Sequence, residues 1–568
     1  MSATALSTGE VVVHRARPAM GLLLLVLAQV VGASGYVLTH LDIDGHLPSA
    51  WPYVLVAWFA VGVATHIVAR WRLPYADPVL LPATFLLVGL GLGMIHRIDL
   101  ISQPARTDAQ TQAIWVVLGI LAAIAVMVLV RDYHALRRFP YVLFLVGLVL
   151  LLLPLTPLGV ELNGSRIWIR LLGYSFQPAE VAKLVLSLAF AGYLADTKDV
   201  LAMAGPKVLG LTLPRARDLG PIAVMWVASM LVLIYQKDLG TSMLFFGLFV
   251  AMVYVATGRS SWVVLGALLF AAGGWFAYQK FAYVGVRVSS WLHPFSDFDK
   301  NYQVIQAQFG FAYGGLLGRG WGMGRPGLTP LAKSDFITAA IGEELGIVGL
   351  VAVILVYALI VARGLRTALI CTEPFGKLLS AGLSLIFALQ VFAIIGGVTR
   401  LLPLTGLTTP FMSQGGSSMV ANWLVLAVML LVSHDARRPT VVSEAAGDVA
   451  SLSADATQVI TVRNPQPRRP EARTATSPSL PLDEDPSADT GEEDATAPFV
   501  MPGTEATAPW GTPDSAATGP VPARDSTGAA PVVTPAEQPT EVRAPEPGRA
   551  PRTDPDEPTQ VHRFQEDE

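Results

Sequence analysis

Ionisable side chains are scarce in the apolar stretches of this sequence, so the few that occur there are the first candidates for chemistry. Glu180 and Lys183 stand three residues apart in FQPAEVAKLVL and share one helix face. Charges inside a membrane-spanning helix are costly and face a cavity or each other. Here they either line a substrate cavity or form a self-neutralised pair that supports packing. Glu343 and Glu344, in SDFITAAIGEELGIVG, are two adjacent carboxylates in an apolar run, and both need partners. In SRIWIRL, apolar and polar residues alternate. Such a segment suits an interface, with Trp168 at headgroup level beside Arg166 and Arg170. GGVTRLLPLTGLTTPFMSQGGSSMVANW (396–423) is rich in Gly, Pro, Ser and Thr. Its backbone amides suit phosphate oxygens, and Ser417 within it is a candidate substrate contact. The same composition also fits a flexible loop without a ligand. In YQKDLGTS, Lys237 and Asp238 can simply cap and turn.

Helices must position these groups. Apolar runs of membrane-spanning length occur near 20–40, 51–69, 79–96, 112–130, 140–157, 178–195, 219–236, 240–257, 261–279, 337–362, 376–396 and 415–433. The expected fold is an all-α polytopic membrane protein of about twelve transmembrane helices. The first run follows Arg15 and Arg17 and reads as a signal anchor, after a cytoplasmic N-terminus of residues 1–19. Lys and Arg concentrate in alternate loops, which places both termini in the cytoplasm. Between the ninth and tenth runs, residues 280–335 read as a long outer loop. It carries Arg287, Lys300, Arg319, Arg325 and Lys333, against the usual insertion bias. Those cations either pair with Asp297, Asp299 and Asp335 and with lipid headgroups, or they bind an anionic ligand at the outer leaflet.

Composition supports a two-part chain. Hydrophobic residues make up 52% and charged residues only 14%, too few charges for an ordinary soluble enzyme. From Pro439 onward there are 9 Arg, no Lys and 23 acidic residues, a charge of −14; the whole chain carries −4, which leaves +10 on the body. Residues 20–438 therefore read as a membrane domain and 439–568 as a disordered, acidic, Pro- and Thr-rich cytoplasmic tail. Its DATQVI and EPTQVH segments each place a Thr between acidic residues and Gln-Val, marking Thr457 and Thr559 as phosphorylation candidates for a Ser/Thr kinase. The product is the kind of ligand that a forkhead-associated domain reads, and such a regulator is an expected partner. The single cysteine, Cys371, excludes an intramolecular disulfide. The sequence contains no Walker A motif and no Cys/His metal cluster, so an ATP-driven transporter is not expected. An ion-coupled carrier, or an enzyme driven by an activated lipid substrate, both remain compatible with these residues.

The segments GSRIWIRL, FQPAEVAK, KDLGTS, WLHPFSDFDKNYQVIQAQFGFAYGGLLGRGWGMG, SDFITAAIGEELG and PLTGLTTPFMSQGGSS occur in this order between 163 and 423. Together they resemble the SEDS family (shape, elongation, division and sporulation proteins). The resemblance implies a peptidoglycan glycosyltransferase that polymerises lipid II outside the membrane with a class B penicillin-binding protein, and no nucleic-acid partner. The two extra N-terminal helices (20–69) and TGLTTPF look more like RodA-type members than like the division paralogue FtsW. Family members carry a catalytic carboxylate in a segment resembling DPWxDPxGxGYQ, which here reads HPFSDFDKNYQ, so the resemblance implies Asp297 as general base. His293 and Phe298 depart from the pattern and one residue is missing before Tyr302, which leaves Asp299 as a competitor. Gln414 replaces the aromatic residue of the family's SYGGSS. Trp168, Glu180 and Lys183 match family cavity residues. Lys183, Arg166 and Arg325 are the cations that would stabilise a departing pyrophosphate. No cofactor is implied; a divalent cation can assist, although the sequence offers no dedicated cage. A lipid II flippase is the alternative from another functional class.

Overall fold

The computed structural model describes residues 18–102, 107–162, 165–171, 173–202 and 216–439, with the short segments 10–12, 207–208, 211–212 and 459–461. Contacts divide the chain into residues 1–468 and 469–568, and all of the second unit lies outside the described residues. The helices are α1 (Pro18–Ile43), α2 (Trp51–Arg72), α3 (Leu80–Ile101), α4 (Asp108–Leu129), α5 (Pro140–Leu152), α6 (Pro178–Ala202), α7 (Ala216–Tyr235), α8 (Leu239–Thr257), α9 (Ser261–Lys280), α10 (Ala282–Leu292), α11 (Phe298–Gly314), α12 (Ile337–Ile370), α13 (Pro374–Val398) and α14 (Gly416–Arg437).

The chain is a multi-pass helical membrane protein. Among the described residues, ten helices are long and apolar enough to cross a bilayer. The fifth and seventh expected spans fall short of that length. Their apolar helices run Pro140–Leu155 and Ala223–Tyr235, beside Pro154 and after Pro221 respectively. Packing separates centre from edge. In α6, 89% of the apolar window is buried, and in α14 83%, whereas in α9 only 11% is. Helices α6, α13 and α14 therefore form the middle of the bundle, with α4 against α14, α5 against α6, α8 against α6 and α13, and α1 against α3.

The end that carries residues 282–336 is called upper here. The lower end is closed around Asp77, which is fully buried and receives Arg363 at 2.6 Å and Arg437 at 3.0 Å. Tyr133 donates to Asp435 at 3.1 Å, and Arg137 pairs with Asp196 and Glu373, each at 2.7 Å.

Two expectations need correction. The alternating SRIWIRL segment is not a lone interfacial stretch. It is the middle strand of an antiparallel sheet formed by Gly159–Leu162, Ser165–Leu171 and Tyr174–Phe176, with Val160 opposite Trp168 and Ile169 opposite Phe176. Strand pairing satisfies backbone groups that an isolated extended segment would leave unpaired, so the all-α bundle carries a small sheet. The second concerns 280–335: the long connection between the ninth and tenth expected spans is itself largely folded. It folds as α10, a short turn at Pro294–Ser296, α11, and a glycine-rich strap from 315 to 336. The Asp297 side chain nucleates α11 by accepting the Lys300 backbone N–H at 3.1 Å. Within the segment expected as tail, Val459–Thr461 pairs antiparallel with Glu10–Val12.

The strap is pinned by buried charge. Glu344 pairs with Arg97 at 3.3 Å and accepts the Gly322 N–H at 2.9 Å; Glu343 accepts the Arg325 N–H at 2.6 Å. Arg97 also donates to the Gly322 carbonyl. The adjacent carboxylates thus fasten α12 to the strap and to α3. Trp321 then reaches α1, where its indole N–H meets the Gly35 carbonyl at 2.8 Å and the Thr39 hydroxyl at 2.9 Å.

Helix α12 spans 34 residues but turns at Gly346, where φ is +70°. The turn lets the strap cross over it: the Ile347 N–H donates to the Gly315 carbonyl at 3.0 Å and the Val348 N–H to the Leu316 carbonyl at 3.1 Å. A Cβ at Gly346 would collide with the Gly318 backbone nitrogen. Gly346→Ala should therefore lose more than about 1–3 kcal/mol, since this positive-φ, extended-ψ backbone, essentially confined to glycine, alone costs an L-residue that much. A lowered thermal midpoint in detergent is the expected readout; an unchanged midpoint would show that other contacts set the turn.

Candidate active site

A polar network runs through the most buried part of the bundle. Proline 178 starts α6 and puts Glu180 and Lys183 in its first two turns. The Lys183 ammonium meets Glu180 at 2.6 Å, with side-chain exposures of only 3% and 7%. It also donates to the Gln390 side-chain carbonyl at 3.0 Å. Gln390, fully buried in α13, passes the connection on by donating to the Thr408 carbonyl at 2.8 Å. The Thr408 hydroxyl donates to Ser418 at 2.8 Å, and the Asn422 amide reaches the same hydroxyl at 3.1 Å. Ser417 is buried beside it in the first turn of α14. The Gly415 N–H at the cap of α14 is held by Gln112 at 3.0 Å. Removing one member of a buried pair such as Glu180–Lys183 leaves an uncompensated charge, a loss of about 3–5 kcal/mol.

The upper surface supplies a second group. Asp297, half-buried at the cap of α11, pairs with the Lys300 ammonium at 2.7 Å. That hydrogen bond holds its carboxyl below the usual carboxylate range. Asp299 is exposed one turn position on and caps nothing. The turn that presents Asp297 is fixed by Asn301, whose amide donates to the Pro294 carbonyl at 2.8 Å.

The expected site residues are thus divided. Glu180 and Lys183 belong to one buried network that ends at Ser418, and Ser417 is buried next to that end. Asp297 pairs with Lys300 and not with that network. Trp168 is half-buried on the small sheet, and the Arg166 guanidinium is exposed and turns back to the Thr156 and Gly159 carbonyls at 3.2 and 3.4 Å. The sheet leans on α4 through an edge-on contact of Tyr174 with Trp115, centroids 5.6 Å apart. Arg325 lines a groove with Gln306, Phe309 and Tyr313 on the far half of α11. At about 1.5 Å per residue, those positions lie roughly 14–24 Å along the helix from Asp297.

The cations of 280–335 serve different purposes. Lys333 is tied to Asp99 and, at 2.9 Å, to Asp108. Arg319 stacks 3.7 Å over the Tyr313 ring. Arg287 donates to the Leu404 and Thr405 carbonyls at 3.1 and 3.2 Å. Sequence reasoning missed Gln390 and underrated Asp238. A lone glutamine in the apolar run 376–396 was the available signal for the first. Asp238 caps α8 by accepting the Thr241 N–H at 3.0 Å, and burial pushes its carboxyl up. Among the described residues no group of three or more His, Cys, Asp or Glu side chains is arranged to hold a metal ion. Thr457 and Thr559 lie outside the described residues.

Comparison with known proteins places these features in a family. A family profile described as cell cycle protein FtsW/RodA/SpoVE matches residues 78–438. A protein of Mycobacterium tuberculosis named peptidoglycan glycosyltransferase RodA is 46% identical over 425 residues, covering 74% of this chain and 91% of that protein. A Geobacter metallireducens protein named probable peptidoglycan glycosyltransferase FtsW is 32% identical over 326 residues, covering 57% and 84%. A chain from a solved peptidoglycan synthase complex that coordinates polymerization and crosslinking is 26% identical, with a TM-score of 0.52, covering 64% of this chain and 99% of that one. This chain belongs to the FtsW/RodA/SpoVE family. Helices α1 and α2 lie ahead of the matched residues.

Asp335, at the start of α12, offers a test of the local electrostatics. Burial raises its carboxyl from 3.8 to about 6, with Arg287 and Ser334 opposing. Between those two values the folded protein holds a proton that the unfolded chain releases. The contribution to stability is therefore full below about pH 4 and lost as pH rises through 6. Relative to Asp335→Asn, the wild type should gain thermal midpoint as pH falls from 7 toward 4. A constant difference between the two proteins across that window would contradict the assignment.

Proposed function

We propose that, as a member of this family, the chain is a RodA-type peptidoglycan glycosyltransferase that polymerises lipid II into glycan strands at the outer face of the cytoplasmic membrane. The 46% identity that covers 91% of the mycobacterial protein carries this reading, and its margin over the FtsW-named relative favours elongation over division. The loop distribution of Lys and Arg supports cytoplasmic termini and an outward upper surface. The similarity to a chain of a peptidoglycan synthase complex supports a class B penicillin-binding protein as partner.

In this mechanism one lipid II presents a sugar 4-hydroxyl and the growing strand presents an anomeric carbon bearing a polyprenyl pyrophosphate. Asp297, kept ionised by Lys300, accepts the hydroxyl proton as the oxygen attacks. The bond from the anomeric carbon to the pyrophosphate breaks, and the leaving group departs with its electron pair. Negative charge gathers there, so fixed cations and helix N-termini lower the barrier. Lys183 is such a cation, in the first turns of α6; Arg166 and Arg325 sit at the edges of the same upper face and would guide anionic substrate. Trp168 and Ser417 complete the substrate contacts. The activated pyrophosphate supplies the driving force. We assign no residue to a divalent cation; an ion that accompanies the pyrophosphate is part of the substrate.

Polymerisation of labelled lipid II by the purified chain tests the assignment. Asp297→Asn should reduce glycan synthesis at least about a hundredfold, the scale of one general base, and Asp299→Asn much less. Lys183→Met should lose more activity than Lys183→Arg. Normal synthesis by Asp297→Asn would remove the base from Asp297, and lipid II translocation without polymerisation would favour a flippase.

The tail is assigned to regulation. Phosphorylation of Thr457 or Thr559 by a Ser/Thr kinase would add about −1.5 to −2 charges in an acidic flexible segment, a ligand for a forkhead-associated domain. Truncation after Arg438 should leave polymerisation in vitro intact and change localisation in cells. Phosphoproteomics that covers both peptides in growing cells and finds neither modified would count against this role.

A further inference from the structure

Beside Asp297 lies a small cavity that none of the expected substrate residues line. Its walls include Arg287, Ser290, Trp291, Lys300, Asn301 and Arg400. Its volume is about 90 Å³, several times the roughly 10–15 Å³ that one water needs by the same measure, so a compact anion can enter. Three of the eleven lining residues are cationic, and the same Lys300 ammonium that lines the cavity pairs with Asp297.

Arg400 is the unusual member. Its backbone has φ +63°, a conformation that L side chains rarely adopt and that persists where the surroundings over-determine it. The surroundings are a reciprocal clamp: the Trp291 indole donates to the Arg400 carbonyl at 2.9 Å, and the Arg400 Nη2 donates to the Trp291 carbonyl at 3.0 Å. The clamp holds the guanidinium in place but leaves its buried Nε–H without an acceptor. Buried donors are nearly always paired, and a guanidinium is built to hold an oxyanion by two parallel bonds. The neighbouring Arg287 belongs to α10 and is fixed to the Leu404 and Thr405 carbonyls, so the two arginines reach the cavity from α10 and from the 399–405 loop that it holds.

We propose that Arg400, with Arg287 and Lys300, forms a subsite for the diphosphate of a polyprenyl-linked substrate, next to the Asp297 carboxylate. The inference rests on the glycosyltransferase reading and deepens it by adding cations beside Asp297 to Lys183, Arg166 and Arg325, none of which lines this cavity. Asp297 takes one bond from Lys300, so the two arginines provide most of the anion's contacts. The position suits the reaction, because attack and departure occur at one anomeric carbon and the cavity adjoins Asp297 through Lys300.

The test is binding of undecaprenyl pyrophosphate to the full-length chain in detergent, with undecaprenol as the uncharged control. Arg400→Gln should weaken undecaprenyl pyrophosphate at least about tenfold, the scale of a charge-assisted bond, and leave undecaprenol unchanged. Arg400→Lys should fall between them. Arg400→Gly separates binding from folding, because glycine accepts the backbone conformation without strain; its thermal midpoint should be kept while affinity falls. Displacement by inorganic pyrophosphate is expected. Displacement by a soluble stem peptide instead would assign the cavity to peptide carboxylates and overturn the proposal, as would equal affinity in all variants. If the wild type polymerises lipid II yet the Arg400 variants bind normally, the subsite falls alone. If the Arg400-dependent binding appears in a protein that polymerises nothing, the glycosyltransferase reading falls and the subsite stands.

Discussion

A charge removed from water into hydrocarbon must find its counter-charge within the protein, and in this chain that requirement decides which helices touch. Lys183 is neutralised by Glu180 and then bound by Gln390 of α13. Arg97 of α3 meets Glu344 of α12, and Lys333 of the strap meets Asp99 and Asp108 at the upper ends of α3 and α4. Asp77 draws Arg363 and Arg437 together at the lower end. Each of these contacts except the first half of the Lys183 network joins elements distant in sequence. Between helices in a bilayer, where apolar surface gains little by leaving lipid, such paired polar contacts specify the partners that packing alone would leave open.

The helices were legible because a long apolar run needs only length to announce itself, and all twelve expected runs coincide with helices. What composition hid was the upper end. Residues 280–335 look like a loop because their apolar positions are sparse and glycines are frequent, yet α10 and α11 form there around a capping aspartate and an amphipathic face. The strap beyond them has no periodic signal at all; its shape comes from Glu343, Glu344 and Arg97, contacts far apart in the chain. SRIWIRL carried a strand's alternation in plain sight, but a membrane context argued against a sheet. Among the site residues, Glu180 and Lys183 stood out because charge in an apolar run is rare. Gln390 did not, because a single neutral amide alters an apolar window little, although it is the link between α6 and the loop before α14.

That loop organises the upper end. Arg287 holds it at 404 and 405, Gln390 at 408, and the strap at 413 and 414, where Ser413 donates to the Ser334 carbonyl at 2.6 Å and the Gln414 N–H to the Lys333 carbonyl at 2.7 Å. The buried Lys183 network and the surface around Asp297 therefore share one rigid backbone segment, even though their side chains do not touch. Geometry at one place is coupled to the other through hydrogen bonds that the Arg287 and Gln390 side chains donate to main-chain carbonyls of that segment.

The docking of Trp321 has a steric corollary. Its indole rests against Gly35 of α1 and Gly93 of α3; a Cβ would stand 2.9 Å and 3.1 Å, respectively, from its Cζ2 atom. Three positions far apart in the chain are thereby coupled sterically: a side chain larger than hydrogen at either glycine displaces the indole that ties the strap to α1. Helix α1, which lies ahead of the family-matched segment, is therefore no detachable module: without it the Trp321 indole loses both of its hydrogen-bond acceptors, the Gly35 carbonyl and the Thr39 hydroxyl.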